Sequence, residues 1–388
     1  MNGTARGLLL GLLLAVIVLV MYRTGPEWVP EEFGRKDFRA FWCGARVWLD
    51  GGNPYDAAAV QALQKKAGLH DAGPGTFVNP PHALVWLAPW ALLDFTTAQR
   101  LWLAANFVVA GACLVLACKL APGGRPAVEL LWVLSFVPFW LVVYLGQMSL
   151  WITLFMLGAV WFRRSGRYFL CGFLLWLACI KPQMSFLLVG GLMSEALFLR
   201  RWGLFAGLAA GAAVSLVPWW WSGAPWIPEG FPVEANPLAY YNSSLVSQWV
   251  KWFNPAGWDA RRICLVIPFL GLIHVGWMQW KALKDHRELS WRRLASLSPL
   301  YAPYIWSYDF IALAFIETAG TRSGRGAGSV RFLIRAGAWA ALVLFPDMGY
   351  SFWVAPAMAG VIWFLSKDNR PDGCGRKRPE DSQAQGDG

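Results

Sequence analysis

The stretch GQMSLWITLFMLGAVWFRRSGRYFLCGFLLWLACIKPQ, residues 146–183, joins two apolar runs through a short basic cluster. The runs cover 148–162 and 168–181, three arginines lie between them at 163–167, and a third apolar run follows at 183–199. Successive apolar segments joined by short basic connections are typical of proteins with several transmembrane helices. The stretch therefore predicts an all-α, polytopic transmembrane bundle.

The composition of the whole chain supports this prediction. Of 388 residues, 57% are hydrophobic and 15% are charged, and 26 are Trp. This is the composition of a polytopic membrane protein. The net charge of +11 would suggest a nucleic-acid partner in a soluble protein, but the basic residues lie between apolar runs and no RNA- or DNA-binding motif accompanies them. We therefore expect membrane lipids, and no nucleic acid, among the partners.

Cysteine and histidine give no sign of a metal site. The seven Cys form no close CxxC pair and lie mostly inside apolar runs, and the four His show no HExxH spacing. A disulfide framework and a His or Cys metal cluster are both disfavoured.

Apolar runs long enough to suggest spans recur along the chain, and we predict about 12 of them. The segment 81–93 is apolar but short and contains Pro89. If the segment 81–93 does not cross the membrane and the N-terminus is cytoplasmic, most clusters of Lys and Arg face the cytoplasm. A full crossing by this segment would place most of them outside, against the positive-inside rule. We therefore predict a re-entrant or interfacial segment at 81–93, with two compensated spans within 80–118 as the alternative. The predicted spans are 7–22, 98–118, 127–143, 148–162, 168–181, 183–199, 202–222, 262–280, 293–305, 308–320, 331–346 and 351–366.

The same topology divides the chain into one transmembrane domain, 1–366, and a disordered cytoplasmic tail, 367–388. The first run, 7–22, is predicted to be a retained helix, because no small-x-small cleavage site follows it. A signal peptide is the alternative. Two large loops, 23–80 and 223–260, lie outside.

The first outer loop is predicted to contain interfacial helices. Phe38, Phe41, Trp42, Ala45, Trp48 and Leu49 recur at helical spacing, with Arg39, Arg46 and Asp50 on the other side. This pattern predicts an amphipathic helix on the outer leaflet. Gly51 and Gly52 would end it, and Asp56 would cap a second helix over 57–66.

Polar residues collect at the predicted outer ends of the spans. They are Asp37, Asn79, Gln147, Lys181, Asn242, Tyr308 and Asp309.

Each of these residues also has a structural interpretation. Lys181 can extend its charge to the interface, Gln147 can serve a turn or an interhelical hydrogen bond, and Asp309 can cap a helix. Asn242 stands in an Asn-x-Ser sequon. Asp37 can cap a helix, yet the flanking cations would keep it ionised.

Five segments together resemble glycosyltransferase family 87. They are DFRAFWCGARVWLDGGNPYD (37–56), FVNPPHALVWLAPWALLDF (77–95), the stretch 146–183, NSSLVS (242–247) and SPLYAPYIWSYDF (298–310). The resemblance implies a GT-C-like membrane enzyme similar to polyprenol-phosphate-mannose-dependent α-mannosyltransferases. Members of the family often carry a His near the Ser-Pro motif, and 298–310 contains none.

The resemblance implies a catalytic role for Asp37. This residue matches the family's Asp-Phe after the first span and is expected to be the general base. The expected reaction is an inverting transfer of a hexose, with mannose expected. The expected donor is a polyprenyl-phosphate-linked sugar, and the acceptor is a glycolipid or glycan. A phosphate leaving group needs no general acid, and we assign its stabilisation to Lys181 and, second, Arg39. No cofactor and no metal are expected.

The enzyme is expected in the plasma membrane, with its active site on the outer side. A transporter or flippase of lipid-linked sugars is the main alternative, although such proteins place polar groups near span centres. A non-catalytic scaffold is the third. The residues assigned to sugar and acceptor are Asn79, Gln147, Asn242, Tyr308 and Asp309.

Overall fold

The computed structural model describes residues 33–69, 77–121, 126–223, 260–285, 289–319, 335 and 354–365. Within these ranges the chain is helical, without a strand, and a continuous cluster of buried apolar side chains joins the helices. The predicted first span 7–22, Asn242 with the rest of the loop 223–260 apart from its two end residues, the span 331–346 apart from residue 335, and the tail 367–388 lie outside the described residues. The helices are α1 Lys36–Leu49, α2 Ala57–Lys66, α3 His82–Ala91, α4 Phe95–Leu120, α5 Pro126–Ser135, α6 Val137–Leu145, α7 Ser149–Arg164, α8 Tyr168–Ala178, α9 Pro182–Phe198, α10 Trp202–Trp221, α11 Ala260–Lys284, α12 Trp291–Tyr301, the 3₁₀-helix Ser307–Phe310, α13 Ile311–Thr318 and α14 Val354–Leu365.

Two of the described helices, α4 and α10, are long and apolar enough to cross a membrane by themselves. The 26 residues of α4 correspond to about 39 Å, more than the hydrocarbon thickness of a bilayer. The pair α5 and α6 would count as a third if it forms one broken span. The protein is thus an all-helical membrane protein, and the number of about 12 spans stays a prediction.

The run 127–143, predicted as one span, is divided into α5 and α6, whose axes differ by 64°. The break follows from Pro138, which has no N–H to donate to the carbonyl of Leu134 four residues earlier. The indole N–H of Trp140 donates to that carbonyl instead, at 2.8 Å. The bend therefore leaves no unsatisfied carbonyl at Leu134.

Helices α8 and α10 pack backbone to backbone through glycines. A Cβ atom on Gly172 would lie 1.9 Å from the carbonyl oxygen of Leu204, and one on Gly207 would lie 1.9 Å from that of Phe169. Small residues at such contacts are how helices pack closely in membranes, where dispersion forces act only over short distances. No larger side chain fits between α8 and α10 at these points.

The local structure of the first loop is confirmed. Helix α1 ends at Leu49 before Gly51, whose φ of 81° is left-handed. Asp56 accepts hydrogen bonds from the backbone N–H of Ala58 and Ala59, at 2.8 and 3.4 Å, and so caps α2.

The polar side of α1, on which the sequence pattern places Arg39, Arg46 and Asp50, is not exposed at Arg39. Residues 38–45 are all buried, Arg39 included at 4% exposure. The cause is packing from several directions, since α3, α4 and α6 all contact α1. Arg46 and Asp50, farther along, are exposed and paired at 3.1 Å, as the pattern indicates.

Helix α3 occupies the segment 81–93. Its ten residues correspond to about 15 Å, half of what a span requires. The segment is too short to cross as a helix.

Candidate active site

The start of α1, the turn between α6 and α7, and two later segments meet at one polar cluster. Its first contact joins Asp37 to Gln147: the side-chain N–H of Gln147 donates to Asp37 Oδ2 at 2.6 Å. Gln147 is 5% exposed, whereas Asp37 is half-buried. The carboxylate of Asp37 is therefore positioned by a hydrogen bond from a buried amide.

The turn that carries Gln147 depends on Gly146. This residue ends α6 in the left-handed region at φ 73°, which favours glycine. A Cβ atom on it would lie 2.5 Å from the carbonyl oxygen of Gly34, whose N–H in turn donates to the Tyr144 carbonyl at 2.8 Å. The indole N–H of Trp102 donates to the Gly146 carbonyl at 2.9 Å. Backbone contacts thus fix Gln147 relative to the start of α1.

We expect Gly146→Ala to lower the free energy of unfolding by at least about 2 kcal/mol, from left-handed strain and the clash with Gly34 together. Thermal unfolding of the purified protein measures it. Gly166→Ala is the matched control, because Gly166 has φ 72° but open space around it. Equal losses in the two variants would show that the contact with Gly34 has no energetic weight.

A buried ion pair forms the second half of the cluster. Lys181 Nζ lies 2.7 Å from Asp309 Oδ1, and the two side chains are 6% and 0% exposed. The hydroxyl of Ser149 donates to the same carboxylate oxygen at 2.6 Å and accepts from Lys181 at 3.0 Å. The carboxylate of Asp309 is therefore neutralised and hydrogen-bonded away from solvent.

Tyr308 connects the two halves. Its hydroxyl oxygen accepts from Gln147 Nε2 at 3.1 Å, and Lys181 Nζ lies 4.6 Å from its ring centroid. The ring of Trp306 stacks with that of Tyr308, with ring centroids 6.1 Å apart. An ammonium above a tyrosine ring is a favourable cation–π arrangement. The cluster is continuous from Asp37 to Asp309.

The electrostatics of Asp37 result from opposing effects. Burial raises the pKa of its carboxyl above the ordinary value, and this effect is the largest. The hydrogen bond from Gln147 and the charges of Lys181 and Arg39 lower the pKa, while Asp309 raises it. The net direction is upward, as for a carboxylate whose proton affinity is adjusted for acid–base chemistry.

The structure brings together five of the predicted site residues: Asp37, Gln147, Lys181, Tyr308 and Asp309.

Two others lie apart from these contacts. Arg39 donates to the backbone carbonyl of Leu69 at 3.2 Å, although its charge still acts on Asp37. The backbone carbonyl of Asn79 accepts from the hydroxyl of Tyr55 at 2.8 Å. Asn242 is outside the described residues.

Ser149 is a member of the cluster that sequence reasoning missed. Its place two residues after Gln147, at the first position of α7, was the available signal. In the part of the chain that the structure describes, no three His, Cys, Asp or Glu side chains form a group that could hold a metal ion. Whether the reaction needs a metal stays a matter of prediction.

Comparison with known proteins identifies the family. The model of glycosyltransferase family 87 matches residues 77–303, more than half of the chain. The chain belongs to glycosyltransferase family 87. No curated protein and no solved structure is significantly similar to it. As a member of glycosyltransferase family 87 the chain is a glycosyltransferase, which favours the enzyme over the transporter and the scaffold.

The match to glycosyltransferase family 87 covers only part of the cluster. Gln147, Ser149 and Lys181 lie inside it, whereas Asp37 and Asp309 lie outside. The family model therefore supports the enzyme class, and the roles of individual residues rest on their geometry.

Proposed function

We propose that this glycosyltransferase moves a hexose, mannose by the resemblance, from a polyprenyl-phosphate donor to a glycolipid or glycan acceptor, with inversion and without a metal ion. The proposed location is the plasma membrane, with the site on the periplasmic or extracellular side of about 12 spans. The observation that carries the proposal is the difference between two carboxylates. Asp37 is half-buried and held by an amide, whereas the side chain of Asp309 is fully buried and paired with the cation of Lys181.

This difference supports Asp37 as the general base. In an inverting transfer the base accepts the proton of the acceptor hydroxyl while its oxygen bonds to the anomeric carbon. The bond from that carbon to the phosphate oxygen breaks, and polyprenyl phosphate leaves with the electron pair. Because phosphate is a good leaving group, a second carboxyl acid is unnecessary, so a neutralised Asp309 is compatible with the reaction.

Lys181 remains the proposed ligand of the donor phosphate, with Arg39 second. An ammonium has three N–H donors, and the contacts of Lys181 with Asp309 and Ser149 account for two. Neither of these contacts uses the third, and we assign it to a phosphate oxygen, which would leave the ion pair intact. Gln147, Tyr308, Asp309 and Asn79 stay proposed contacts of sugar and acceptor, as does Asn242.

The donor assignment is tested with full-length protein in liposomes. We expect transfer of radiolabelled mannose from polyprenyl phosphate mannose, none from GDP-mannose, and no change with EDTA. The anomeric configuration of the product, measured by NMR, should be opposite to that of the donor. EDTA-sensitive transfer from the nucleotide donor would contradict the proposal while leaving the enzyme class intact.

The raised pKa of Asp37 predicts the pH dependence. A base must be ionised, so kcat/KM should fall about tenfold per pH unit below that pKa. Gln147→Leu removes the hydrogen bond that lowers the pKa, and should therefore move this acid limb to higher pH. A pH–rate profile measures the shift.

Gln183→Leu is the control for this shift, because Gln183 is a buried amide that is not among the groups that shift the pKa of Asp37. It should leave the acid limb in place. If the acid limb of the pH–rate profile did not move in Gln147→Leu, the group that titrates there would not be Asp37.

A further inference from the structure

A second feature of the outer loop is a cavity beside the start of α1, of about 520 Å³. Its polar lining includes Arg35, Arg100, Thr96 and Gln99, and among the described residues that line it none is acidic. It shares no lining residue with the polar cluster described above. Two guanidinium groups at one cavity favour an anion, and arginine suits phosphate oxygens in particular.

The walls of this cavity are held by hydrogen bonds. Gln99 Nε2 donates to the carbonyl of Phe33 at 2.8 Å, which joins α4 to the segment before α1. Arg39 donates to the carbonyl of Leu69 at 3.2 Å, which fixes the segment after α2. A site whose walls are already ordered loses little entropy when it binds a ligand.

The rest of the lining is apolar and continues along a candidate span. Phe95 and Leu103 line the cavity, and both belong to α4. Three other apolar side chains of α4, Leu101, Phe107 and Val108, are 48, 45 and 73% exposed, and Phe107 follows Leu103 by one turn on the same face. A helix that spans the membrane presents such side chains to hydrocarbon, so a lipid chain bound at the cavity can continue along α4 past Phe107.

We propose that this cavity binds the phosphate of an anionic membrane lipid between Arg35 and Arg100, with the hydrocarbon chain along α4. Free inorganic phosphate would satisfy the arginines but would leave the apolar half of the lining unused. The site goes beyond the proposed reaction, because lipid binding here requires no sugar transfer.

The test is native mass spectrometry of the full-length protein released from nanodiscs of phosphatidylglycerol or phosphatidylcholine. We expect retained phosphatidylglycerol on the unmodified protein. Arg35→Gln/Arg100→Gln should bind it at least about tenfold more weakly, the loss expected when charge-assisted hydrogen bonds are removed. Phosphatidylcholine retention should be unchanged.

Arg167→Gln is the matched control, because Arg167 is exposed and lies in the turn between α7 and α8. It should retain phosphatidylglycerol as the unmodified protein does. Arg100→Glu is a second variant of the cavity. Because the side chain of Arg100 is exposed, this variant should fold. It should also fail to retain phosphatidylglycerol.

Three results would overturn the proposal. They are unchanged retention in both cavity variants, an equal loss in Arg167→Gln, and displacement of the lipid by millimolar inorganic phosphate, which would assign the site to a soluble anion. Sugar transfer that persists in Arg35→Gln/Arg100→Gln would support a site separate from the reaction.

Discussion

Replacing Asp37 by Asn should lower kcat for sugar transfer by about 100-fold to 10,000-fold, the range over which general bases contribute. The substitution keeps the shape of the side chain but removes its ability to accept a proton. Because Asp37 is half-buried and its carboxylate is held by Gln147, the variant should fold with little change in stability. Steady-state assays in liposomes with the polyprenyl-phosphate donor measure the loss.

The matched control for this variant is Asp50→Asn, at the residue that follows the last residue of α1. Asp50 is exposed and paired with Arg46 in an i,i+4 contact, so its replacement should leave kcat nearly unchanged. Folding of both variants is checked by thermal unfolding. Near-normal turnover in folded Asp37→Asn protein would exclude the base role and would redirect attention to Asp309.

Replacing Lys181 by Met should lower the free energy of unfolding by about 3–5 kcal/mol, because it leaves the carboxylate of Asp309 buried without its counter-ion. The Asp309 side chain is 0% exposed, so water cannot take the place of the ammonium. The double variant Lys181→Met/Asp309→Leu should recover much of that loss, since neither partner then carries a buried charge. Thermal or denaturant unfolding in detergent measures all three proteins.

Arg46→Met is the matched control for the ion pair, because Arg46 and Asp50 form an exposed pair at 3.1 Å. Exposed pairs contribute at most about 1 kcal/mol. If Lys181→Met destabilised the protein no more than Arg46→Met, the burial of the Lys181–Asp309 pair would have no energetic consequence. A double variant less stable than Lys181→Met alone would contradict the counter-ion argument.

The parts of the fold that follow from neighbouring residues could be predicted from the sequence. Gly51 ends α1 and Asp56 caps α2 because both act on backbone groups within three residues. The break after α5 was missed although its cause is also local. An apolar run of that length suggests a span, and the effect of Pro138 on the Leu134 carbonyl becomes clear only when the helix is followed residue by residue.

The candidate site shows where sequence reasoning stops. Lys181 and Asp309 stand out as charges at the ends of apolar runs, but 128 residues separate them, so their pairing depends on the tertiary fold. Ser149 stands two residues after Gln147 but carries no charge, and it becomes part of the site only through its hydrogen bonds to that pair. Arg39 follows the helical pattern of a solvated face, and its burial results from helices that the pattern of α1 does not contain.

The close approach of Gly146 to Gly34 has a mechanical consequence. Where two main chains touch with no side chain between them, they cannot slide past one another without separating entirely. We therefore expect the start of α1 and the α6–α7 turn to move together, so that the 2.6 Å contact between Gln147 and Asp37 changes little when substrates bind.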